Sequence, residues 1–394
     1  MALSLHASSK LIEASDSDLA ASLFPLNVEA TVNLVEKLLD TEPSRDDLSN
    51  AEAVLDDAIA LNAGHARLRS LRSEVLLRIG DPSGAADGFK HALSLSKTES
   101  LALQRVIGWS IERQDVSGAV QSIDRLLRRH PDKMSSLGSV FAALMTTKEG
   151  YAELRRRLLI RPPWRGAMFR QIASDPTSLA AGASLLIDLR EGDNPVESGE
   201  TSTIVQALIR EGRHLEAYNL FLATQSEDEA ALGGYIHDAG FEAPSSSKPF
   251  DWQIRSRPGH TINRLPHPAF AAERSGLLIQ FNGTPVKDMY VMQTLHLPPG
   301  HYDLSAVVSA ANAKLPRGLY WSLRCLSPAR ELARLDITEG SYIAEIFSTH
   351  FELPSVGCPL QVISIHTAVI AESWKDRYVG SVVMRRLEIR KRTS

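Results

Sequence analysis

Along residues 1–238 apolar positions recur at helical spacing among Ala, Leu, Arg, Glu and Asp, with few β-branched runs. From Pro244 onward the period changes to short alternating runs of Val, Ile, Leu, Phe and Tyr, broken by Pro and Gly. Between the two lies Ala243-Pro244-Ser245-Ser246-Ser247-Lys248-Pro249, a linker by composition. The pattern predicts a multidomain chain of an all-α part followed by an all-β part. The expected division is a helical domain over 1–238, a linker over 239–248 and a β-sandwich of the jelly-roll kind over 249–394.

The helical part carries a repeat, clearest over 32–133. Ala51, Ala85 and Ala119 are spaced by 34 residues, as are Leu55, Phe89 and Ile123, and then Ala58, Ala92 and Leu126. A small–large–small pattern at this period resembles the tetratricopeptide repeat. Its small residue lets paired helices approach, and its large residue fills the next gap. One such hairpin cannot bury its own apolar face, so the resemblance implies an α-solenoid of stacked hairpins. The preceding helices fit less well: Gly108 is one place off the small position, and Arg69 and Arg72 stand where apolar residues are usual. A further run, Gly212 to Phe221, is out of register, and 133–205 reads as irregular helical hairpins.

In the second part, strands are expected over 250–255, 277–281, 291–297, 302–309, 319–325, 347–353, 360–366 and 382–389. Tyr302, Leu304, Ala306 and Val308 share one face, and Leu319, Trp321, Leu323 and Cys325 share another. Some eight strands in this length fit a two-sheet jelly roll.

Charge narrows the classes. A net charge of −4 in 394 residues argues against a dedicated nucleic-acid binder. The first 30 residues hold one base, Lys10, with no basic leader and no apolar run, so no signal peptide is visible and a cytoplasmic home is the default expectation. No apolar stretch reaches the length of a membrane span. Two cysteines, Cys325 and Cys358, either form one disulfide closing a loop of 33 residues or remain as two buried thiols.

Candidate chemistry is sparse. Sugar sites combine aromatic faces with amide, hydroxyl and charged groups. Trp321 shares a face with Leu319 and Leu323, and Trp252 stands in the first strand beside Phe250, so both are expected inside. Tyr320, sharing a face with Ser322 and Arg324, is the better ligand platform, with Tyr290 and the loop residue Trp374 as further candidates. Arg155, Arg156, Arg157, Arg161 and Arg165, interleaved with Trp164, are a candidate surface for an acidic or protein partner. His260 and His267 lack a third ligand, so no metal is expected, and no motif for a cofactor or a nucleophile occurs. A dispersed carboxylate pair for glycoside hydrolysis leaves no sequence signature.

Phe250 and Trp252, Gln293 and Leu297, Pro299-Gly300-His301-Tyr302, and Gly380, Val382 and Leu387 make the second part similar to carbohydrate-binding modules of the galactose-binding-like type. With Arg161-Pro162-Pro163-Trp164-Arg165, the whole chain resembles a group of proteobacterial tetratricopeptide proteins carrying such a domain. The resemblance implies a non-catalytic adaptor of the cell envelope, engaged in polysaccharide synthesis, export or attachment, commonly behind an N-terminal anchor. Its helical array would hold a protein partner and its jelly roll a glycan. The alternatives are a carbohydrate-active hydrolase or lyase with its site on the jelly roll, and a purely structural docking module.

Overall fold

The computed structural model describes residues 2–17, 19–20, 24, 27–190, 192, 194–246, 248–266, 275–367 and 376–392. The chain forms two compact units, 1–171 and 172–394.

The first unit is helical: α1 (Ala2–Ile12), α2 (Val28–Leu39), α3 (Arg45–Leu61), α4 (Ala66–Ile79), α5 (Pro82–Leu95), α6 (Ser100–Glu112), α7 (Val116–Arg129), α8 (Gly138–Thr146), α9 (Lys148–Leu159) and α10 (Arg165–Ile172), which runs up to the division. Helices pack in sequential pairs, α4 on α5 and α6 on α7. All nine residues of the 34-residue pattern are buried in α3, α5 and α7. The caps repeat at the same spacing. Asp81 accepts from the Gly84 N–H at 2.9 Å and Asp115 from the Gly118 N–H at 3.0 Å, starting α5 and α7. His65 and Glu99 likewise cap α4 and α6. Gly88 sets the closeness of α4 and α5, since a Cβ there would lie 2.1 Å from Ser73 Oγ. The two unexpected arginines are satisfied: Arg72 pairs with Glu52 at 3.0 Å and Asp56 at 2.5 Å on α3, and Arg69 donates to the Ala63 carbonyl at 2.8 Å.

The second unit adds α11 (Leu179–Leu189), α12 (Ser198–Arg210), α13 (His214–Ala223) and α14 (Glu227–Ala231) to β1 (Gln253–Arg255), β2 (His260–Arg264), β3 (Leu277–Pro285), β4 (Tyr290–Leu295), β5 (Gly300–Lys314), β6 (Leu319–Cys325), β7 (Arg330–Ile337), β8 (Gly340–Leu353), β9 (Gln361–His366) and β10 (Arg377–Lys391). The strands form two five-stranded sheets, β1-β4-β9-β6-β7 and β2-β3-β10-β5-β8, all pairs antiparallel. This is the expected β-sandwich. Its core gathers Trp252, Trp321, Tyr302 and Tyr378, with the two indoles 5.8 Å apart.

The segment expected to be a linker is instead packed. Phe241 is fully buried against Trp252 at 4.8 Å, and Lys248 pairs with Glu229 at 2.9 Å. Trp252 Nε1 donates to the Asp238 carbonyl at 3.0 Å, while the Asp238 carboxylate pairs with Arg264 at 3.0 Å. The Ser- and Pro-rich composition that reads as a linker serves tight turns here: Ser246 N–H and Oγ both donate to Asp251. On α13, Tyr218 and Phe221 pack on Phe250 at 5.3 and 5.5 Å, and Tyr218 stacks on His296 at 5.5 Å. Helices after residue 171 therefore belong to the unit that holds the sandwich.

Candidate functional site

Strand alternation builds the site. Leu319, Trp321, Leu323 and Cys325 of β6 enter the core, so Tyr320, Ser322 and Arg324 face out. Register then fixes their neighbours. Tyr320 lies opposite His366 of β9 on one side and Asp336 of β7 on the other. Ser322 lies between Ser364 and Arg334, and Met292 of β4 continues that line beyond Ser364. Extending the same register sets Tyr290 opposite His366, and Arg255 of β1 opposite Tyr290. One row thus crosses the sheet as Arg255, Tyr290, His366, Tyr320 and Asp336. Adjacent strands are about 4.8 Å apart, so the two tyrosines stand ~10 Å apart, the reach of a disaccharide.

The second row is a floor. Ser322 and Ser364 are buried although they point outward, as is the neighbouring Val362, because the longer side chains around them rise past them. Ser322 Oγ donates to Glu331 at 3.2 Å, and Ser364 Oγ lies 2.7 Å from His366 Nε2. Burial holds the His366 imidazole below its ordinary pKa of 6.5, and the charge of Arg324 lowers it further, outweighing Glu331. His366 is therefore neutral at neutral pH and presents one donor and one acceptor.

Both tyrosines carry guanidinium groups. Arg334 Cζ sits 3.8 Å from the centre of the Tyr320 ring while its nitrogens donate to Asp336 at 2.9 and 2.7 Å. Arg255 and Arg257 lie 4.9 and 5.3 Å from the Tyr290 ring. The Tyr290 hydroxyl donates to Gln253 at 3.0 Å, and Arg257 pairs with Asp288 at 3.6 Å. Arg255 and Arg324 are exposed, and among the described residues neither has a carboxylate within ion-pair distance.

Three of the four ligand candidates, Tyr290, Tyr320 and Arg324, thus share one sheet face. Trp374 lies outside the described residues, as does His267. Trp252 and Trp321 are in the core. Sequence reasoning missed Arg255, Arg334 and His366. The first two sit on a three-residue edge strand and on a strand too charged to be recognised, and all three join the site only through register. Cys325 and Cys358 are joined, with Cα atoms 5.3 Å apart.

The arginine surface needs correction. Trp164 is buried, donates from Nε1 to Asp124 at 3.0 Å and stacks on Phe141 at 6.0 Å. Arg165 is buried too, donating to the Leu158 carbonyl at 3.3 Å. Both face inward because α10 starts at this point and turns its first residues into the helical core. Arg157 is drawn to Asp124 at 3.4 Å, and Arg156 is paired with Glu153 at 2.5 Å. Arg161 is exposed and Arg155 half-buried. The six residues do not form one surface.

Among the described residues no cluster of three His, Cys, Asp or Glu gathers at metal-binding distance, and no helix is long and apolar enough to cross a membrane.

No family model matches this chain, and no curated protein matches it. Among solved structures, a CBM4 carbohydrate-binding module is 12% identical, covering 40% of this chain and 99% of its own at a TM-score of 0.30. The CBM22-1 xylan-binding domain of Paenibacillus barcinonensis Xyn10C is 9% identical over 39% of this chain and 92% of its own, TM-score 0.27. A CBM61 module solved in complex with β-1,4-galactotriose is 11% identical over 41% and 99%, TM-score 0.27.

Proposed function

We propose that this protein is a non-catalytic glycan-binding adaptor whose sandwich holds a polysaccharide on the outer face of the β1-β4-β9-β6-β7 sheet. The observation that carries this reading is the row Tyr290–His366–Tyr320 standing over a floor of buried serines. Tyrosine side chains at both ends, with serine hydroxyls and an imidazole between them, supply the apolar and polar contacts that a sugar chain takes together. The two carboxylates of this face, Glu331 and Asp336, are engaged by Ser322 and Arg334. That favours holding a glycan over cleaving it, since hydrolysis asks for a free acid and a free base or nucleophile.

The helical unit is the proposed seat of a protein partner. Stacked helix pairs serve this purpose through extended surfaces, and an apolar groove lined by Leu34, Leu38 and Val54 lies between α2 and α3. The Cys325–Cys358 disulfide supports an oxidising compartment, the periplasm or the envelope.

The test is calorimetric titration of the full chain with a panel of purified polysaccharides. Saturable binding that falls at least about tenfold in Tyr290→Ala and Tyr320→Ala, a loss of ~1.4 kcal/mol, with melting temperatures near the parent's, is the expected result. Binding unchanged in both variants would remove this face from consideration.

A further inference from the structure

Resting on the glycan-binding reading above, we propose that the ligand of this sheet face is an acidic glycan, a chain bearing uronate carboxylates. A neutral sugar that stacks needs a bare ring face. Tyr320 does not offer one, because the Arg334 guanidinium lies on it at 3.8 Å, and Tyr290 has Arg255 and Arg257 over its ring at 4.9 and 5.3 Å. The same construction stands at both ends of the row. Arg334 and Arg257 are held by Asp336 and Asp288, whereas Arg255 has no carboxylate within ion-pair distance among the described residues, so its guanidinium can take a planar carboxylate with two parallel hydrogen bonds.

Charge on the face points the same way. Arg334 is already turned by Asp336, but Arg255 and Arg324 are exposed and have no carboxylate partner among the described residues. Arg255 ends the row on β1, and Arg324 stands on β6 four residues along from Tyr320, opposite Val362. Glu331, opposite Arg324 on β7 and bonded among the described residues only to the Ser322 hydroxyl, offsets part of this charge, but Arg255 and Arg324 together leave the face with cationic excess, which complements a polymer bearing carboxylates.

The experiment uses the full chain at neutral pH with polygalacturonate, with the same polymer after carboxyl reduction, and with poly-L-glutamate. The expected result is that polygalacturonate binds at least about tenfold tighter than its reduced form, the difference between a charge-assisted and a neutral hydrogen bond. That preference should weaken with added salt and disappear in the Arg255→Gln/Arg324→Gln double variant. Both positions are exposed and unpaired, so the variant keeps its fold, checked by its melting temperature. Equal affinity for the native and the reduced polymer would overturn the acidic-glycan inference while leaving glycan binding standing. Binding of neither polymer would overturn both. Poly-L-glutamate binding as tightly as polygalacturonate would overturn the inference in favour of a surface that reads charge alone, including that of an acidic protein.

Discussion

Gln114 holds the position that Gly80 holds one repeat earlier. Both end a helix in the left-handed region, with φ of 60° and 102°. For a residue with a side chain that conformation costs about 1–2 kcal/mol, and glycine adopts it freely at some expense in unfolded-chain entropy. Gln114→Gly is therefore expected to stabilise the first unit by ~0.5–1 kcal/mol, read as a higher urea midpoint. His260 makes the opposite kind of strain. It is fully buried, and among the described residues neither ring nitrogen has a hydrogen-bond partner. Burial pushes its pKa down, as it does for His237, His296 and His366, each below the ordinary 6.5. In the unfolded chain these groups take up protons as the pH falls through about 6.5, while in the folded chain they resist. More protons on the unfolded state means stability that rises with pH. Urea midpoints of the second unit should accordingly be full above pH 7 and fall steadily below about 6.5. His260→Leu should raise the midpoint at pH 5.5 and flatten this dependence.

At the scale of elements, the repeat was legible because burial acts at a fixed spacing. Ala85 and Ala119 have no exposed surface, and enlarging either side chain must push a paired helix away. Ala119→Leu should cost about 1–3 kcal/mol by overpacking, measured by thermal unfolding. An unchanged melting temperature would sink the role given to these alanines. Strands with clean alternation, such as β6, were equally legible. β2 and β7 were not. Arg330-Glu331-Leu332-Ala333-Arg334-Leu335-Asp336-Ile337 carries helix-forming residues and four charges, and only its sheet neighbour makes it a strand. The site suffers the same limit. Tyr290, His366 and Tyr320 are dozens of residues apart along the chain, and hydrogen-bond register alone aligns them. Trp164 misled for a related reason: a Trp among arginines looks exposed, but its partner Asp124 lies 40 residues back on α7.

For the whole molecule, the division of labour differs from the division of composition. The change from helix to strand falls near residue 244, but the compact units divide at 171/172. The helices between pack through Tyr218 and Phe221 onto Phe250, and Phe241 fills the sandwich core. A fragment beginning at 172 should melt cooperatively. One beginning at 249 forfeits Phe241 and the α13 contacts, and losing a buried Phe alone costs about 3–5 kcal/mol. It should melt far lower or fail to fold, and calorimetry of the two fragments decides this.

The central claim is that one sheet face holds a glycan chain. Hydroxyl-radical footprinting of the full chain, with and without polygalacturonate, reads that face through its own side chains. The account predicts protection of Tyr290, Met292, Tyr320 and His366 on polymer addition, with Tyr342 and Phe347 of the opposite sheet unchanged. Protection confined to the opposite sheet or to the helices, with those four side chains oxidised as fast as before, would contradict it.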